Sequence, residues 1–80
     1  MPQFLIEHRH EARECGVVFA AFRGHDSPLR HRQTVGGCRF GVHAIWWCVE
    51  APGDREALDL LPPYVAARAI ATRIGAVDIP

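Results

Sequence analysis

The nine residues from Val42 to Glu50, VHAIWWCVE, constrain this fold more than any other stretch. β-Branched and aromatic residues dominate them, so they read as a strand. Successive side chains on a strand point to opposite faces. His43, Ile45, Trp47 and Val49 therefore share one face, and Val42, Ala44, Trp46 and Cys48 the other. An antiparallel strand with one face in water alternates apolar with polar residues. This one is apolar on both faces, so both faces of its sheet need cover.

The rest of the chain supplies that sheet and one layer of cover. Gln3 to Arg9 reads as a first strand, with Phe4, Ile6 and His8 on one face and Leu5, Glu7 and Arg9 on the other. A first helix spans about Glu11 to Phe22, because Cys15, Val18, Phe19 and Phe22 form a stripe at helical spacing. Glu11 and Glu14 suit the positive end of its dipole, and GHDSPLR beyond it is a polar loop of turn formers. A second strand lies within Arg32 to Arg39, weakened by Gly36 and Gly37, with a turn at Phe40-Gly41. A second helix runs from Asp54 to Leu61 and ends at Pro62-Pro63. A fourth strand occupies roughly Ala69 to Ile79. The order β-α-β-β-α-β is that of an α+β, ferredoxin-like domain with an antiparallel sheet ordered 4-1-3-2. Its helices cover one sheet face, and a second copy of the chain is expected on the other.

Eighty residues allow one domain. A chain of this length buries only about 60–65% of the surface its unfolded form exposes, and small domains add a disulfide, a metal or a partner. Three cysteines, an odd number without framework spacing, argue against disulfides and for a reducing cytoplasm. The start is not a charged leader, and no apolar run approaches ~18 residues, so no membrane span is expected. Nine basic and nine acidic residues give zero formal charge, which excludes a basic nucleic-acid surface. Every basic residue is arginine, and lysine and asparagine are absent, which reads as a GC-rich genome.

Two stretches carry a family resemblance. MPQFLIEH resembles the first strand of small actinobacterial proteins of the dimeric α+β barrel superfamily, which include nickel-binding members. LLPPYVAARAIATRIGAVDIP is similar to the tail of muconolactone isomerases. The resemblance implies a ferredoxin-like fold and a homodimer or higher homo-oligomer. It carries over no catalytic residue, because the chain is shorter than those isomerases in helix one and the loop after it.

The candidate sites follow from topology. Strand one ends beside the start of strand three, where helix one begins, so His8, His10, His43 and Cys15 gather at one end of the domain. His25 and His31 belong at the other. His8 and His10 share a strand face, and His43 joins them if it lies opposite His8. Three imidazoles and the Cys15 thiolate suit nickel or zinc. Ordinary strand-end histidines and a buried cysteine on the helix stripe explain the same residues. HEARE lacks the second histidine of the His-Glu-x-x-His zinc motif. On the opposite sheet face Glu7, Arg9, Trp46 and Cys48 share parity. There Glu7, its pKa raised by burial, would act as general base on a small aromatic or acidic ligand held by Arg9 and Trp46. The alternative is a Glu7–Arg9 ion pair at a dimer seam. Tyr64 and Arg68 lie near the histidine end and line either site, Tyr64 also serving as a packing anchor. Three functions stay open: a small metal-binding protein, a cofactor-free isomerase or monooxygenase, and a binding module without chemistry.

Overall fold

A computed structural model describes all residues from Met1 to Pro80. Four strands, β1 (Gln3–Arg9), β2 (Val35–Gly36), β3 (Ala44–Glu50) and β4 (Ala69–Ile74), form one antiparallel sheet ordered β2-β3-β1-β4. That is the expected 4-1-3-2 order read from its other edge. Three short helices accompany it: α1 (Cys15–Ala21), α2 (Asp54–Leu58) and α3 (Pro63–Ala66). No helix is long and apolar enough to cross a membrane.

Strand parity sorts the two sheet faces. Ile6 lies opposite Trp47 and Phe4 opposite Val49. These residues are buried with Val18 of α1, Leu61, and Val65 of α3. Glu7 lies opposite Trp46 and Leu5 opposite Cys48, on the face without helices. That face leaves Leu5, Val35 and Ile70 exposed.

Several boundaries differ from the sequence reading, each for a physical reason. β1 pairs β4 from His8↔Ala69 to Gln3↔Ile74, so β4 stops at Ile74, where β1 has no further partner, rather than at Ile79. β2 is two residues long, within the expected Arg32 to Arg39, because the 3-10 turn Cys38–Phe40 ends the ladder after Gly37 donates to the Ala44 carbonyl at 2.9 Å. Helix one opens as a 3-10 turn, Ala12–Glu14, before α1. The second helix ends at Leu58, short of the Pro-Pro pair, which starts a helix instead of ending one. Pro63 is the first residue of α3, where a missing N–H costs nothing.

The loop between α1 and β2 is pinned by Ser27. Its hydroxyl donates to the Leu60 carbonyl at 2.6 Å and accepts the Leu29 N–H at 3.1 Å. Neither His25 nor Asp26 takes part, in keeping with a structural loop.

Ile6 is fully buried and Val17 is half exposed. Ile6→Ala is expected to lower the unfolding free energy by about 2–5 kcal/mol, and Val17→Ala to change it by less than about 0.5 kcal/mol. Urea unfolding of the two variants checks this, and equal losses would contradict the face assignment.

Candidate metal centre

Where β1 ends, the chain carries one rung beyond the strand. The His10 N–H donates to the His43 carbonyl at 3.1 Å. This sets His43 opposite His10, and Ile45 opposite His8. The expected pairing of His43 with His8 is thus two residues out of register, with its parity intact. The 3-10 turn then swings Cys15, the first residue of α1, back over the same spot.

The fourth side chain comes from the β2–β3 corner. Gly37 and Gly41 shape the loop between Cys38 and His43. A Cβ on Gly37 would sit 2.6 Å from the Val42 carbonyl oxygen, and Gly41 has a φ of +89°. Only glycine meets both conditions without strain. The Gly37 carbonyl accepts the Phe40 N–H at 2.9 Å and the Val42 N–H at 3.0 Å, which closes the loop.

His10, Cys15, Cys38 and His43 form one group, their donor atoms all within 4.8 Å of one another. Cys15 Sγ lies 3.3 Å from His10 Nε2 and 3.3 Å from His43 Nδ1. Cys38 Sγ lies 3.4 Å from His10 Nε2. A tetrahedral zinc ion with Zn–N near 2.05 Å and Zn–S near 2.3 Å keeps its ligands about 3.3–3.8 Å apart. These three thiol–imidazole contacts fall within that range. Without metal the same contacts are weak thiol–imidazole hydrogen bonds. These four side chains could hold a divalent metal ion such as zinc.

The electrostatics favour the imidazole as a ligand and hold the Cys38 thiol protonated until an ion displaces its proton. Burial, followed by the neighbouring His43, lowers the His10 pKa, which keeps an imidazole lone pair free for a metal. Burial raises the Cys38 pKa, and its contact with Cys15 adds to the shift. A divalent ion with two thiolates and two neutral imidazoles carries no net charge, which suits a half-buried position.

His8 stands apart from the group. It is fully buried, and its Nδ1 lies 3.0 Å from the Val65 carbonyl. Burial lowers its pKa. Its ring stacks on that of His10 at 5.2 Å, and the two rings carry the buried unpartnered atoms His8 Nε2 and His10 Nδ1. The member of the group absent from the sequence reading is Cys38. The signal for it is symmetrical spacing: HEAREC places four residues between His10 and Cys15, and CRFGVH places four between Cys38 and His43.

Tyr64 and Arg68 brace this corner. The Tyr64 hydroxyl donates to Glu14, which precedes Cys15. Arg68 lies over the Tyr64 ring at 4.7 Å and 3.6 Å from the Glu14 carboxylate. The Tyr64 hydrogen bond is the main reason that the Glu14 pKa is lowered, and Glu14 in turn raises that of Tyr64.

The expected general base is corrected. Glu7 accepts Trp46 Nε1–H at 2.9 Å on one oxygen and Arg9 Nε–H at 3.0 Å on the other. The Trp46 bond, then the Arg9 bond, hold its pKa below the usual carboxylate value, the reverse of the expected rise from burial. The indole and guanidinium that were to hold a ligand are engaged with Glu7 itself. Because the folded pKa is depressed, the contribution of Glu7 to stability is present above its unfolded value. It is lost as pH falls through the lowered folded value. Trp46→Phe removes the largest cause, so the Glu7 titration, followed by its carboxyl carbon shift, is expected to move up towards the ordinary value. An unchanged midpoint would contradict the role of the indole. No protein-family model, curated protein or solved structure matches this chain.

Proposed function

We propose that the chain is a small zinc-binding protein whose metal has a structural role. The observation that carries this reading is the convergence of two thiols and two imidazoles from distant segments within 4.8 Å. Four protein ligands leave no open position, which marks structural rather than catalytic zinc sites. Thiolates mixed with imidazoles suit zinc better than nickel, which favours planar nitrogen and oxygen sets. The ion would tie the β1–α1 corner to the β2–β3 corner, whose own ladder has only two rungs.

The same reading takes the domain as ferredoxin-like and of the dimeric α+β barrel kind, with two copies paired over the open sheet face. The strand order and the exposed Leu5, Val35 and Ile70 support it.

A native mass spectrum of tag-free protein tests metal content and assembly together. One zinc per chain is expected, in a particle of two chains. Chelation is expected to lower the thermal midpoint, since zinc held a thousandfold above its Kd stabilises by about 4 kcal/mol. Cys38→Ser is expected to lose the metal and this stabilisation. His8→Asn, which keeps a donor for the Val65 carbonyl, is expected to retain zinc. Parent protein that is metal-free and indifferent to both zinc and chelator would end the metal reading, and a monomer would end the pairing.

A further inference from the structure

A cavity of about 330 Å³ opens between α1, the loop that follows it and β3, lined by none of the four histidine and cysteine donors. Its floor is apolar and aromatic. Phe22 and Trp47 meet there with ring centroids 6.0 Å apart and planes tilted by 39°. Leu29 and Ile45 complete the floor, and Phe19, 59% exposed, stands at the mouth. Hydrophobic and aromatic walls with a few placed polar groups are the usual make-up of a small-molecule site.

The rim is cationic. Arg23, Arg30 and Arg32 line the cavity, and none of its lining residues is acidic. The ion pairs of this chain engage Arg9, Arg13 and Arg68 instead. Three guanidinium groups thus surround one apolar hollow without a carboxylate partner. Between two of them His31 adopts a φ of 64°, the only positive φ outside glycine. Arginine is the side chain best shaped to take a carboxylate through two parallel hydrogen bonds.

We propose that this cavity binds a small aromatic carboxylate. Its ring lies against Phe22 and Trp47, and its carboxylate meets Arg30 and Arg32. A second cavity of about 520 Å³ shares Phe19, Arg32, Thr34 and Ile45 with the first and reaches Cys38. The ligand site therefore opens towards the metal centre, but uses none of its four donors and does not depend on the zinc reading.

The probe is 2-naphthoate, with neutral 2-naphthamide as its control, titrated into the protein as isolated. The two indole N–H resonances report separately, because Trp47 lines the cavity and Trp46 is bonded to Glu7 on the other sheet face. Naphthoate is expected to shift the Trp47 resonance saturably and leave that of Trp46 in place. Naphthamide is expected to bind about tenfold more weakly or worse, and Arg30→Gln with Arg32→Gln to weaken naphthoate by a similar factor. Both arginines are exposed, so the double variant should keep the parent spectrum outside the cavity. Equal affinity for acid and amide, an unaffected double variant, or no saturable Trp47 shift would overturn the proposal.

Discussion

The antiparallel register between β1 and β3 is the constraint on which the rest of the molecule depends. Phe4, Ile6 and His8 face the helices because they lie opposite Val49, Trp47 and Ile45. A slip of one residue would turn Glu7 and Arg9 into the core and Ile6 into the open face. Such a slip would bury an ion pair at the cost of its solvation. The same register fixes the last rung at His10 and His43, and so brings two imidazoles together at the sheet's end. Cys15 and Cys38 reach that point because each lies one short turn from an end of the paired segment.

Much of this was legible in the sequence, and the failures have identifiable causes. β1, β3 and the first helix carry apolar residues at their proper periods, and the structure places them close to where those periods do. β2 has no such signal, since two of the residues around it are glycines. Pro62 and Pro63 speak clearly for a helix end. The same missing N–H also suits Pro63 to begin α3, and sequence alone does not separate these roles. At the site, topology brings His10, Cys15 and His43 together. Alternation cannot distinguish His8 from His10, because both point to one face. They differ in that the Val65 carbonyl meets His8 inside the strand, whereas His10 lies past its end. Cys38 escapes notice because the second strand has no clear boundary, so only the matched spacing of Cys38 and His43 points to it before the glycine-shaped loop is seen.

The candidate metal centre and the aromatic cavity differ in polarity. Beside the candidate metal centre several charged side chains are paired: Glu14 takes Tyr64 and Arg68, and Arg13 takes Glu11. Around the aromatic cavity the arginines stand without one. A zero formal charge thus conceals a local excess of cations around the cavity beside the α1–β2 loop.

The shortness of β2 has a consequence for how this protein behaves in a crowded solution. Pairing with β3 stops at Trp46, so Trp47 to Glu50 have no strand beside them on that side. Open ladder positions on an apolar strand are a template for another chain's backbone, and proteins guard them with charge and proline. Here the exposed end of β3 carries Glu50, and Pro52 follows within two residues. A strand among the most apolar parts of the chain is thus closed off at its tip by one carboxylate and one residue that cannot donate to a ladder.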